Sequence, residues 1–110
     1  MLREAELSPV VMIDCGHANS GKDPARQPEV AAAIGSQIAS GERAIIGAMI
    51  ESNLVGGRQD LRPGRKLVRG QSITDGCLSW KETLPVLGAL AKAVRARRTS
   101  KRRRPQRASL

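Results

Sequence analysis

The stretch VVMIDCGHANSGK, from Val10 to Lys22, joins a run of aliphatic residues to a group of polar side chains. Its first residues are largely β-branched, which favours a strand. The run leads directly into a group of polar or chemically reactive side chains, which are Asp14, Cys15, His17, Asn19, Ser20 and Lys22. A buried strand that runs straight into such residues predicts a functional site at its carboxyl end.

A second apolar run, AIIGAMI, lies at Ala44 to Ile50. Continuous runs of this length are typical of strands that are covered on both faces of a parallel sheet. The segment between the two runs has a helical pattern. The order strand, helix, strand predicts a right-handed βαβ unit and therefore an α/β fold.

The helical pattern between the runs has start and stop signals. Asp23 followed by Pro24 predicts an N-cap with proline at the first helical position. Gly41 is a suitable C-terminal stop. An apolar stripe recurs every four residues between these signals, at Val30, Ile34 and Ile38.

The second half of the chain begins with a glycine-rich, charged segment, residues 51–71, which predicts a long functional loop. SITDGCL, residues 72–78, predicts a short third strand or a turn that carries Asp75 at its end. Ser79-Trp80-Lys81-Glu82 has the S-x-x-E form of a capping box and predicts a final helix that ends near Arg98.

Composition indicates a core without large aromatic side chains. The 110 residues are 40% hydrophobic and include one Trp, no Phe and no Tyr. An independent small domain usually gains much of its burial from aromatic residues. This shortage suggests a piece of a larger unit, with residues 1–8 as an N-terminal extension and residues 9–98 as the folded part.

The net charge of +9 comes from the C-terminal end of the chain. Nine Lys or Arg residues and no acid occur from Lys92 onward, and the other basic residues are balanced by the acids. Residues 99–110 predict a basic disordered tail. A non-catalytic nucleic-acid-binding protein is therefore the alternative function, although no recognition motif or stacking aromatic supports specific binding. Equal affinity for nucleic acid with and without the tail would exclude it.

The two cysteines, Cys15 and Cys77, do not make a disulfide framework or a CxxC motif and are interpreted as buried structural thiols. No signal peptide or membrane span is recognisable. We therefore expect a cytoplasmic protein with no membrane association.

Three predicted strands each end at a residue that can bind a metal ion. These residues are His17, Glu51 and Asp75. The carboxyl ends of parallel strands share one edge, where α/β folds build their sites. One imidazole and two carboxylates suit Mn²⁺, Fe²⁺, Co²⁺ or Zn²⁺ and leave room for a substrate oxygen. Taken singly, each residue is more often a loop, capping or turn residue. GHANSGK lacks the spacing of a phosphate-binding P-loop.

The motifs VMIDCGHANSGK, GERAIIGAMIESNLVGGRQ and GQSITDGCLSW occur in this order and resemble the C-terminal part of type I 3-deoxy-D-arabino-heptulosonate 7-phosphate (DAHP) synthases. The resemblance runs from about Pro9 to Arg98. One departure is Cys15-Gly16, where the family commonly has an aromatic residue and Ser. The resemblance implies a (β/α)8 barrel, of which this chain supplies only the last strands and helices.

The resemblance also implies an activity, the condensation of phosphoenolpyruvate with erythrose 4-phosphate in the shikimate pathway of aromatic amino acid biosynthesis. It implies that His17, Glu51 and Asp75 hold a divalent metal, with His17 and Asp75 also catalytic, and that the metal polarises the aldehyde or activates a water.

The family's cysteine ligand and most of its phosphate-binding residues belong to a portion that this sequence lacks. We therefore expect a segment that is inactive alone. Its expected partner is a separately encoded N-terminal chain that completes the barrel, or a second copy of itself in a homo-oligomer.

Overall fold

The computed structural model describes the backbone of residues 4–103, and it has the mixed α/β architecture that the sequence predicts. No helix in this described part is long and apolar enough to cross a membrane. The elements in chain order are β1 (Val11–Asp14), 3₁₀ turns at His17–Ser20 and Pro24–Arg26, α1 (Gln27–Ala39), β2 (Ile45–Met49), β3 (Ser52–Asn53), β4 (Leu78–Ser79) and α2 (Trp80–Arg103).

Strands β1 and β2 pair in parallel, and α1 connects them, so the predicted strand–helix–strand order is confirmed. Val11 lies opposite Ile45 at the start of the ladder, and Asp14 lies opposite Met49 at its end. Parallel strands end at the same edge of a sheet. The chain leaves both strands at one edge, which brings the segments after β1 and β2 together.

Helix α1 begins through a short 3₁₀ turn. The side chain of Asp23 accepts a hydrogen bond of 3.0 Å from the amide of Ala25, so the predicted cap serves the turn at Pro24–Arg26 that leads into the helix. At the other end, the amide of Gly41 donates to the carbonyl of Ile38 at 3.0 Å. Gly41 has a φ of 109°, which explains why glycine suits this position.

The core lies between the sheet and the two helices and contains no aromatic side chain. Of the predicted stripe on α1, Ile34 and Ile38 are buried and Val30 is half-buried. Gly35 lets the helices approach, since a Cβ there would lie 3.7 Å from that of Ala93 on α2. The buried apolar residues are Cys15, Ala31, Ile34, Ile38, Ile45, Leu78, Val86 and Ala93.

The opposite side of the two-stranded sheet is uncovered in the described part of the chain. Met12 is 67% exposed and Ile46 is 65% exposed. The apolar runs are typical of strands covered on both faces, but the two helices of this chain pack on one side only. An uncovered apolar face is what we expect of strands that supply only part of a barrel. The apolar runs in β1 and β2 are more hydrophobic than the structure of residues 4–103 requires.

Helix α2 starts at the predicted capping box. The Ser79 amide donates to Oε1 of Glu82 at 2.9 Å, and the Glu82 amide donates to Oγ of Ser79 at 3.1 Å. The helix continues to Arg103, so its predicted end near Arg98 is wrong. Lys and Arg are good helix formers and are favourable near a helix C-terminus. Residues 104–110 of the predicted tail lie outside the described residues.

The segment between β2 and β4 is folded back on itself. It contains β3, which pairs in parallel with β4 and was missed as a strand by the sequence analysis. Asp75 lies in a bend ahead of β4, so the turn is the correct alternative for this residue and the position at the end of a strand is wrong. The reason is local, because the hydroxyl of Ser72 accepts from the amide of Thr74 at 3.0 Å and favours a turn.

Candidate metal centre

His17, Glu51 and Asp75 come together beyond the ends of β1 and β2. Each offers one ligand atom, and the three atoms all lie within 4.8 Å of one another. Nε2 of His17 lies 3.1 Å from Oδ2 of Asp75 and 3.9 Å from Oε2 of Glu51. Side chains that are far apart in the chain thus converge on one point, as the strand-end argument predicts for His17 and Glu51.

The ring of His17 is oriented by Asp14, the last residue of β1. Nδ1 of the imidazole lies 2.8 Å from Oδ2 of Asp14. The other oxygen, Oδ1, accepts a hydrogen bond of 2.7 Å from the amide of Gly16, which fixes the carboxylate in turn. With Nδ1 engaged by Asp14, Nε2 faces the carboxylates of Glu51 and Asp75. A histidine that binds a metal commonly donates its other ring N–H to a carboxylate in this way.

The negative charges around His17 favour its protonated form when no cation is present. The hydrogen bond to Asp14 is the main cause that raises the pKa of His17 above its ordinary value, followed by the charge of Glu51. The hydrogen bond to Asp75 acts in the same direction. A divalent cation at Nε2 would replace that proton and neutralise the same carboxylates.

Glu51 is the least exposed of the three residues, with a side chain that is 21% exposed. Gly16 leaves the space that its carboxylate uses, since a Cβ on Gly16 would lie 2.7 Å from Oε1 of Glu51. Gly16, where the resembling family commonly has Ser, therefore lies directly against the cluster. A side chain at this position would require the Glu51 carboxylate to move.

The Asp75 side chain is 65% exposed, and the bend that carries it is held by a neighbouring arginine. Nε of Arg58 donates to the carbonyl of Thr74 at 2.8 Å, and the same guanidinium contacts Oδ1 of Asp60 at 2.9 Å. The amide of Gln59 also donates to the carbonyl of Ser72 at 2.8 Å. The long segment after β2 thus serves as a support for the Asp75 bend.

A cavity of about 230 Å³ opens beside the three residues. Its wall includes Ser20, Lys22 and Arg58 in addition to the cluster itself. Lys22 adopts a φ of 65°, and its amide donates to the carbonyl of His17 at 2.7 Å. Cationic side chains next to a metal-ligating cluster suit a small, anionic, oxygen-rich molecule.

The two cysteines lie outside the cluster, and both are free thiols. Cys15 is fully buried, as predicted, and burial raises its pKa. Cys77 is only partly buried, which corrects the prediction of two buried thiols. Burial, and then the charge of Glu51, raises the pKa of Cys77, and its Sγ lies 3.6 Å from the carbonyl of Asp75. Neither thiol is placed to act as a ligand in this arrangement.

The donor set fits a divalent cation. Two ligand atoms that bind one ion at about 2.1 Å each lie no more than about 4.2 Å apart. Atoms within 4.8 Å of one another therefore need only a small adjustment of exposed side chains to share an ion. The orientation of the His17 ring is a second, independent reason to expect a cation here. Asp14 contacts Nδ1 and thereby turns Nε2 toward the two carboxylates.

Sequence reasoning missed a buried glutamine that supports the cluster. Gln27 is fully buried, and its side-chain amide pairs with the backbone of Glu51. A signal was present in the sequence, because Gln27 is in register with the buried positions Ala31, Ile34 and Ile38 of α1. A polar residue on an apolar stripe indicates a buried hydrogen-bonding role.

Comparison with known families matches residues 1–87 to the DAHP synthetase I family. A tyrosine-inhibited phospho-2-dehydro-3-deoxyheptonate aldolase of Schizosaccharomyces pombe is 50% identical over 105 residues, which cover 92% of this chain. The Phe-sensitive enzyme of the same name from Escherichia coli K12 is 52% identical over 97 residues, or 88% of this chain. The chain spans 28% of the length of each of these two relatives.

The same relationship is evident in three dimensions. The structure of a phospho-2-dehydro-3-deoxyheptonate aldolase from Francisella tularensis SCHU S4 superposes with a TM-score of 0.82 and 47% sequence identity. The match covers 87% of this chain and 28% of that one. The resemblance drawn from the three sequence motifs is thereby confirmed, and the chain belongs to the DAHP synthetase I family.

Proposed function

We propose that this chain is the metal-binding C-terminal portion of a 3-deoxy-7-phosphoheptulonate synthase, which condenses phosphoenolpyruvate with erythrose 4-phosphate. The observation that carries the proposal is the convergence of His17, Glu51 and Asp75 within 4.8 Å. Family membership supplies the reaction, and the cavity beside the cluster supplies space for an anionic substrate.

In this proposal, His17, Glu51 and Asp75 hold a divalent cation chosen from Mn²⁺, Fe²⁺, Co²⁺ and Zn²⁺. The cation supplies Lewis-acid polarisation of a substrate oxygen when it is bound. Lys22 contributes positive charge on the cavity wall, where a phosphate or carboxylate of a substrate would lie. Asp14 keeps the His17 ring oriented throughout.

We also propose that β1 and β2 are part of a (β/α)8 barrel and that this chain is inactive alone. The uncovered apolar side chains of Met12 and Ile46 support this proposal, since they require further strands or another chain to bury them. The remaining metal ligand and the phosphate-binding residues would come from the other strands of the barrel. A separately encoded partner or a homo-oligomer would supply the cover.

The first test measures metal binding by the purified chain. We expect one Mn²⁺ per chain by titration calorimetry, and loss of binding in the variants His17→Ala and Asp75→Ala. Glu42→Ala is the matched control, because Glu42 is an exposed carboxylate beyond the C-terminal end of α1 and outside the cluster. Absence of Mn²⁺ binding by the unaltered chain would overturn the proposed site.

The second test addresses activity. Adding Mn²⁺, phosphoenolpyruvate and erythrose 4-phosphate to the chain should release no phosphate above background. Supplying the N-terminal three quarters of the E. coli Phe-sensitive relative as a separate chain should restore release, and His17→Ala should abolish it again. Turnover by the isolated chain at about 10 s⁻¹, an ordinary enzyme rate, would contradict the proposal that it is incomplete.

A further inference from the structure

The side chain of Gln27 makes two hydrogen bonds to the backbone of a single residue, Glu51. Its Nε2 donates to the Glu51 carbonyl at 3.0 Å, and its Oε1 accepts from the Glu51 amide at 2.7 Å. Gln27 is the first residue of α1 and is 0% exposed. A buried primary amide in this pose presents the same donor and acceptor pair that a neighbouring strand would present.

Glu51 needs such a partner because the β1–β2 ladder ends just before it. The last pairing of that ladder joins Asp14 to Met49, and the Cys15 amide donates to the Met49 carbonyl at 2.8 Å. Gln27 therefore continues the pairing of the β2 backbone by two residues with a side chain in place of a strand. An unpaired backbone group at this partly buried place would be costly.

The Glu51 carbonyl also accepts a hydrogen bond of 2.9 Å from the amide of Leu78. Leu78 follows Asp75 by three positions, and Gln27 lies on the helix that follows the His17 turn. The backbone of Glu51 is thus fastened to the segments that carry both other members of the cluster. A shift of this one peptide would move the Glu51 carboxylate relative to both His17 and Asp75.

We infer that Gln27 is a positioning residue of the metal centre, which fixes the Glu51 backbone so that its carboxylate faces His17 and Asp75. The inference rests on the proposed metal-binding function. Gln27 does not touch the ligand atoms, so its effect is transmitted through the peptide of Glu51. Its substitution leaves the three ligands chemically intact but less well ordered.

The test compares the full chain with the variants Gln27→Met and Gln27→Glu. Gln27→Met removes both hydrogen bonds at similar side-chain length, and Gln27→Glu keeps the acceptor but loses the donor. Gln37→Met is the control, since Gln37 is an exposed residue of the same helix. Calorimetric titration with Mn²⁺ and the visible absorption of added Co²⁺ report affinity and ligand geometry.

We expect both Gln27 variants to bind Mn²⁺ about 10- to 100-fold more weakly, as is typical when a group that orients a ligand is removed. Their Co²⁺ spectra should differ from that of the unaltered chain, and Gln37→Met should match it. Folded Gln27 variants with unaltered Mn²⁺ affinity and Co²⁺ spectrum would overturn the inference.

A measurement on the unaltered chain keeps the inference testable if a variant fails to fold. The Glu51 amide should exchange its hydrogen as slowly as those β2 amides that are paired with β1, although it lies beyond the ladder. Exchange at the rate of an exposed loop would overturn the inference. Failure of the unaltered chain to bind Mn²⁺ would refute the proposed function, and the exchange rate would still decide whether Gln27 holds Glu51.

Discussion

Nδ1 of His17 lies 2.8 Å from Oδ2 of Asp14, and this pair fixes which nitrogen of the ring faces the cluster. The opposite nitrogen, Nε2, is 3.1 Å from a carboxylate oxygen of Asp75. Both nitrogens therefore have a carboxylate partner in the metal-free chain. A proton and a divalent cation compete for the same position, and this competition can be measured.

The first prediction concerns the protonation of His17, which is the only histidine of the chain. We expect its pKa in the metal-free protein to lie above 6.5, because of the hydrogen bond to Asp14 and the charge of Glu51. The single imidazole C2–H signal in a proton NMR titration gives the value directly. Asp14→Asn should lower the pKa, and Glu42→Gln, at an exposed position outside the cluster, should leave it unchanged. A value at or below 6.5 would contradict the geometry.

The second prediction follows from the sign of that shift. A pKa that is raised by folding contributes stability that is complete below pH 6.5 and is lost as the pH rises through the folded-state pKa. Between pH 6.5 and the folded-state pKa of His17, the free energy of unfolding of the metal-free chain should therefore fall relative to that of His17→Gln. Urea unfolding at several pH values measures this difference. Mn²⁺ affinity should change in the opposite sense and increase with pH, because the cation displaces a proton. If the free energies of unfolding of the unaltered chain and of His17→Gln change with pH in the same way, the predicted shift is refuted.

The third prediction concerns space at Gly16. Gly16→Ala places a Cβ 2.7 Å from Oε1 of Glu51, which is closer than a Cβ and an oxygen pack. We expect Mn²⁺ affinity to fall on the order of 10-fold, with little loss of fold, because the carboxylate can rotate away. Gly88→Ala is the matched control, since nothing lies within 4 Å of that position on α2. It should stabilise the helix by up to about 1 kcal/mol and leave metal binding unchanged.

The fourth prediction concerns the start of α2. Ser79→Ala removes the hydroxyl that accepts from the Glu82 amide at 3.1 Å and should lower the free energy of unfolding by about 1 kcal/mol. Thermal unfolding followed by circular dichroism measures the change. Ser36→Ala, at an exposed position inside α1, should be neutral or slightly stabilising because alanine is the better helix former. Equal melting temperatures for the two variants would argue against the cap.

Much of the fold could be predicted from local patterns. The apolar runs identified β1 and β2, the stripe at Ile34 and Ile38 identified α1, and the Ser79–Glu82 motif identified the start of α2. The joint position of His17 and Glu51 after parallel strands also followed from pattern alone. These features depend on residues that are close in sequence or on the general geometry of parallel sheets.

The remaining features depend on contacts between distant residues. Strands β3 and β4 are two residues long each, too short to leave a periodic signal. The bend at Asp75 is fixed by Arg58, which donates to the Thr74 carbonyl 16 residues away along the chain. Gln27 acts on Glu51 across 24 residues. Such pairings are decided by tertiary structure, and helical periodicity indicated only that Gln27 faces inward.

The uncovered face of β1 and β2 has a consequence for the life of this chain in a cell. Within residues 4–103 these strands form a sheet of two, so each presents an outer edge of backbone amides and carbonyls beside bare hydrocarbon. Such surfaces attract chaperones and proteases and promote the growth of intermolecular sheets. A chain in which this face stays uncovered should therefore be degraded or aggregate quickly, and covering the face with further strands should lengthen its lifetime.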